Sequence, residues 1–117
     1  MAIDQQSDCL FCGIVAGRIP AQIVGESPHV IASVDIAPQA PQHYVVTPRS
    51  HFADVPDLAA KAPQVLADMV ALASQLATDR SDGQFRLVFN TGSQAGQSVF
   101  HVHGHVFTGG KLGDHFA

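Results

Sequence analysis

The chain has 117 residues, 46% of them hydrophobic, and six Lys plus Arg against ten Asp plus Glu give a net charge of −4. This length predicts one domain, 1–117, around one core and excludes a second. The acidic balance argues against a surface that tracks the phosphates of a nucleic-acid polymer, so any nucleotide partner is expected to be small.

The apolar runs fall far short of the roughly 20 residues that a membrane helix needs. The start MAIDQQSDC has neither a basic region nor an apolar signal core, so no membrane partner and a cytoplasmic location are expected. Leu10 to Ala16 is apolar, stops at Gly17 and is followed by Pro20, the pattern of a short helix. Ile23 to Glu26 and Val30 to Asp35, parted by Ser27 and Pro28, read as strand, turn and strand. Ala37 to Pro41 is a proline-rich turn, and His43 to Thr47 is a third β-rich run closed by Pro48.

From Pro63 to about Thr78, the residues Leu66, Met69, Val70, Ala73, Leu76 and Ala77 recur at spacings of three and four, which predicts a long helix with one apolar stripe. Pro63 suits its first turn, and Ser81, Asp82 and Gly83 end it. Phe85 to Phe89 alternates, with Phe85, Leu87 and Phe89 on one side. A loop from Asn90 to Gln97 leads into a last strand-like run, Val99 to Phe107. Hairpin-connected strands with helices set apart favour an α+β fold: an antiparallel sheet of about five strands with one long and one short helix.

His101, His103 and His105 alternate within the last run, so on a strand all three imidazoles would share one face, roughly 7 Å apart. Val102, Gly104 and Val106 would face the long helix, and Phe107 would share the histidine face. Neutral imidazole is a good nucleophile toward phosphorus when a neighbour holds its proton on the far nitrogen. Histidines two apart on a strand can also bind zinc, and spacing does not separate these readings. The loop before them offers Asn90, Ser93, Gln97 and Ser98 as polar groups, and Gly92 and Gly96 are expected to leave backbone N–H groups open to an anion. Cys9 and Cys12 have the spacing of zinc ligands or of two buried thiols; no thioredoxin-like context supports a redox pair.

QSVFHVHGHVF, together with CLFCGIVAGRIPA, VDIAPQAPQHYVVTPRSH and the asparagine of VFNTGSQAGQSV, resembles the histidine triad (HIT) nucleotide-binding proteins, in their small Hint-like branch, over nearly the whole chain. The resemblance implies a hydrolase that cleaves nucleoside phosphoramidates or dinucleoside polyphosphates at the α-phosphorus through a nucleotidyl-histidine, releasing a nucleoside monophosphate. It makes His103 the nucleophile, His101 and His105 the groups that orient it and contact the phosphate, and His51 a fourth histidine near the site. Asn90, Gln97 and Ser98 would surround the phosphate, with Ser98 a proton source. Asp35 would hold the ribose hydroxyls, and Phe11, Ile14 and Ile36 would wall the base pocket, for which a purine is expected. Some members bind structural zinc at positions matching Cys9, Cys12, His51 and His101, and close relatives are homodimers. The alternative is a nucleotide- or zinc-binding interaction protein whose hydrolysis is incidental.

Two departures stand out. Gly104 replaces the bulky apolar residue usual in this family, which predicts weaker packing and a more flexible strand. The short tail KLGDHFA lacks the usual tryptophan-containing ending, which bears on the choice of leaving group.

Overall fold

The structure, a computed structural model, describes residues 9–113. The polar start and the last four residues of the tail lie outside them. Helix α1 (Leu10–Val15) is entered through Cys9, whose extended backbone and Sγ cap the Cys12 N–H at 3.3 Å. It ends where Gly17 takes φ +79°, a conformation that an L side chain disfavours.

Strands β1 (Ile23–Glu26), β2 (Val30–Val34), β3 (Gln42–Pro48), β4 (Arg86–Val88) and β5 (Gly104–Thr108) form one antiparallel sheet in the order β1-β2-β3-β5-β4. Helix α3 (Pro63–Arg80) lies across one face of it. Because strand side chains alternate, Val30, Ala32, Tyr44, Val46 and Val106 meet Met69, Leu72, Ala73 and Leu76 of the helix in one core. His43, Val45, His105 and Phe107 therefore belong to the opposite face, where the register sets His43 against Phe107 and Val45 against His105.

Four sequence expectations need correction. The helical stripe keeps Met69, Ala73, Leu76 and Ala77, all buried, but its edge runs through Leu72, which is buried, and not through Val70, which is 44% exposed. A further helix, α2 (Val55–Lys61), precedes α3. Its signals are local: the Asp54 carboxylate caps the Asp57 N–H at 2.9 Å, Pro56 sits in the first turn, and Asp57 reaches back to the Ala53 N–H at 3.1 Å and forward to Lys61 at 2.9 Å.

The last strand starts at Gly104 and not at Val99. Pairing with β3 stops at Val46 opposite Gly104, and the chain before it leaves the ladder because the Val102 N–H donates to the Phe52 carbonyl at 2.7 Å. Gly104 itself is buried and covered: a Cβ there would lie 2.9 Å from Leu87 Cδ1 and 3.0 Å from Phe89 Cε1. The space beneath the glycine is filled from the β4 side, so the predicted weak packing is not what the structure shows.

Candidate functional site

The departure of the chain from the ladder before Gly104 splits the three histidines between two clusters. His101 is fully buried. Its Nε2–H donates to the Pro48 carbonyl at 2.9 Å, which leaves the Nδ1 lone pair facing Cys9 Sγ at 3.2 Å and Cys12 Sγ at 3.4 Å. His51 Nδ1 lies 3.5 Å from Cys12 Sγ, and one donor atom from each of these four residues lies within 4.8 Å of all the others. Two sulfurs and two imidazole nitrogens at these separations match the edges of a tetrahedron with metal–ligand bonds of about 2.0–2.3 Å. The Pro48 carbonyl is the kind of outer partner that orients a ligating imidazole. Burial, above all, pushes the His101 pKa down to about 4, with His51 and His103 adding to it, so the ring is neutral and able to ligate. The donor set therefore fits a closed zinc site.

His103 belongs to the second cluster. Its Nδ1–H donates to the His101 carbonyl oxygen at 2.9 Å, so its Nε2 carries the lone pair. The Phe11 ring packs on it with centroids 4.8 Å apart, and the His105 ring stands edge-on at 5.2 Å. His105 Nδ1 lies 3.0 Å from His43 Nε2, and Asp35 Oδ2 is 3.4 Å from that His43 nitrogen. Burial is the main cause that holds His105 near a pKa of about 4; the neighbouring His103 and His43 lower it further, and Asp35 opposes them. Burial likewise lowers His43 against the pull of Asp35.

His43 is the residue that sequence reading missed. The fourth histidine beside His103 and His105 is His43, whereas His51 stands with the cysteines, its ring 4.9 Å from that of His101. The signal available was a histidine beside Gln42 at the start of a largely apolar strand; only the β3–β5 register brings it to His105. His101 is also removed from the group that could touch a phosphate, because both ring nitrogens are engaged in the interior and only its backbone carbonyl reaches His103.

The loop contradicts the expected anion cradle. The Gly92 N–H donates to Gln97 Oε1 at 2.9 Å and the Gly96 N–H to the Ser93 carbonyl at 3.1 Å, so both are spent inside the loop. Gln97 is buried, and its Nε2 donates to the Ala53 and Val99 carbonyls at 2.8 and 3.1 Å. Its side chain braces the loop and does not face a ligand. Asn90 lies half-buried across from Gly96, and Ser98 is exposed. Asp35 accepts the Ala37 N–H at 2.8 Å through Oδ1. Ile14 is half-buried, whereas Ile36 stands fully in solvent and would wall a pocket only with a ligand laid against it.

Among the described residues, no helix is long and apolar enough to cross a membrane. The family model of the HIT domain matches residues 16–112. The purine nucleoside phosphoramidase of Escherichia coli K12 is 34% identical over 108 residues, covering 91% of this chain and 91% of that protein. A HIT family hydrolase from Legionella pneumophila superposes with a TM-score of 0.85 at 38% identity, over 92% of this chain and 97% of the other. A zinc-bound histidine triad family protein from Mycobacterium smegmatis does so at 0.76 and 33%, over 92% and 78%. With the motif, the sheet order and these likenesses in agreement, the chain belongs to the HIT family.

Proposed function

We propose that this protein hydrolyses nucleoside phosphoramidates or dinucleoside polyphosphates at the α-phosphorus through a nucleotidyl intermediate on His103. The observation that carries this reading is the 2.9 Å bond from His103 Nδ1–H to the His101 carbonyl, which commits the other nitrogen to a lone pair. In the first step Nε2 attacks phosphorus, the bond to the leaving amine or nucleotide breaks, and Ser98 hands a proton to a leaving amine. Nδ1 keeps its proton, and its bond to the carbonyl stabilises the positive charge that the ring acquires. Water then attacks phosphorus, the ring leaves with its electron pair, and a nucleoside monophosphate is released; the water proton restores Ser98 where an amine has left and passes to solvent where a nucleotide has left. Asp35 retains lone pairs for ribose hydroxyls, Asn90 borders the phosphate, and Phe11, Ile14 and Ile36 flank the base. A purine is favoured by the name of the Escherichia coli relative.

When bound at Cys9, Cys12, His51 and His101, zinc would supply structural cross-linking of α1 to the segment after β3 and to the one before β5. We further propose that the 1–117 chain acts as one domain in a homodimer, in which the three-residue edge strand β4 is covered by a second copy; a stable monomer at micromolar concentration in light scattering would reject the dimer.

Turnover of a nucleoside phosphoramidate by the wild type and by His103→Ala, with nucleotide affinity measured alongside, tests the reading. We expect the variant to lose several orders of magnitude in turnover and to keep its affinity. A nucleotidyl mass on the peptide 99–110 after acid quench should vanish with it. Near wild-type turnover by His103→Ala would sink the assignment. Tight nucleotide binding without turnover of any such compound would favour an interaction protein instead.

A further inference from the structure

We propose that the backbone N–H of Gln39 is a positioning group for the reaction: through His43 it decides which nitrogen of His105 carries the proton, and so presents His105 Nε2–H as a fixed hydrogen-bond donor to the phosphoryl group. The proposal rests on the hydrolase reading above for its function but not for its geometry.

The Gln39 N–H lies 3.2 Å from His43 Nδ1. An amide N–H can only donate, so Nδ1 must offer its lone pair, and the proton of the neutral His43 ring must sit on Nε2. That nitrogen is 3.0 Å from His105 Nδ1 and 3.4 Å from Asp35 Oδ2, both of which can accept. His105 Nδ1 is therefore an acceptor as well, and its own proton is left on Nε2. The opposite wiring would place a proton on His43 Nδ1 against the Gln39 N–H, two donors meeting at 3.2 Å.

The turn that carries the amide is stiff. Pro38 and Pro41 flank it, Asp35 Oδ1 ties the Ala37 N–H at 2.8 Å, and the Asp35 N–H bonds the His43 carbonyl at 3.0 Å. The rings are held by Phe107, whose centroid is 4.3 Å from that of His43 and 6.1 Å from that of His105. The titratable groups facing the pair are Asp35 and His103.

Burial keeps both imidazoles neutral at pH 7. A neutral imidazole is a poor acid but an effective donor to developing charge on a phosphoryl oxygen. His105 would thus stabilise charge and transfer no proton, which leaves proton delivery to another group. The same wiring bears on the cluster of Asp35, His43 and His105, whose donor atoms converge within 4.8 Å as a cation site would require. A cation there would have to displace the Nε2 proton and break the Gln39 bond.

The direct test is the tautomer pattern of the whole zinc-loaded protein, read from long-range proton–nitrogen NMR spectra at pH 7. We expect the proton on Nε2 in His43 and His105 and on Nδ1 in His103. Gln39→Ala keeps the N–H and should keep this pattern. An ester in place of the Pro38–Gln39 amide deletes the N–H at nearly constant shape. It should give mixed tautomers at His43 and His105, leave His103 unchanged, and lower kcat about three- to tenfold, the size of one net hydrogen bond, with KM little changed. Gln39→Pro should act alike wherever it folds. A proton on His43 Nδ1 in the wild type, or an unaltered His105 tautomer in the ester protein, overturns the proposal. The expected tautomers without turnover of any phosphoramidate would uphold the wiring and reject the hydrolase.

Discussion

Gly104 and its cover offer a quantitative check on the packing. A Cβ added there would stand 2.9 Å from Leu87 Cδ1 and 3.0 and 3.1 Å from two carbons of the Phe89 ring, whereas apolar carbons rest at about 3.5–4.0 Å. Gly104→Leu adds four carbons to a space that is already full, so it should destabilise by about 1–3 kcal/mol through overpacking. Leu87→Ala empties part of that space; Leu87 is half-buried, which places its cost near the lower end of the range for such truncations, about 2 kcal/mol. Made together, the two changes exchange one leucine side chain for another across the β4–β5 pair. The double variant should lie within about 1 kcal/mol of the wild type, a coupling of at least about 2 kcal/mol. Urea denaturation at fixed protein and zinc concentration measures all three, since any zinc binding or self-association shifts the midpoint by mass action. If the two single effects simply add within about 0.5 kcal/mol, Leu87 is not what fills the place of the missing side chain.

Gln97→Ala should cost about 1–3 kcal/mol, because it leaves the Gly92 N–H and the Ala53 and Val99 carbonyls without the partner they now share. Ser98→Ala, at an exposed position of the same loop, should leave the denaturation midpoint almost unmoved while lowering turnover by about 10²–10⁴. Elemental analysis of protein grown with zinc should find one metal per chain in the wild type and a sharp loss in Cys12→Ser or His101→Ala; full occupancy in both variants would rule out the four-residue site. His105 is held near pKa 4 in the fold against an ordinary 6.5, so between those values the unfolded chain binds the extra proton and stability falls as the pH drops. Its share should reach about 2 kcal/mol at pH 5, and the difference between pH 7 and pH 5 in urea midpoints should be smaller in His105→Asn than in the wild type.

Local signals in the chain were enough for much of this. Glycine at 17, proline at 63 and the apolar spacing after it mark helix ends and a helix face, because capping and amphipathicity act over a few neighbours. The β-rich runs and their short turns likewise imply the antiparallel sheet. The HVHGH motif and the cysteine pair mark candidate nucleophiles and zinc ligands by residue type, while their spacing alone does not separate the two readings. Nothing local tells His101 from His103, since both occupy the same phase of the same pattern. They part because β5 leaves the ladder at Gly104, where the Val102 N–H turns to Phe52 and sends one ring to the sulfurs and the other to the open face. His43 reaches His105 only through a register set by two strands 62 residues apart in the chain, and Leu87 covers Gly104 only because β4 pairs with β5. Such contacts depend on backbone hydrogen bonds between distant segments, which the order of side chains along a single segment does not encode.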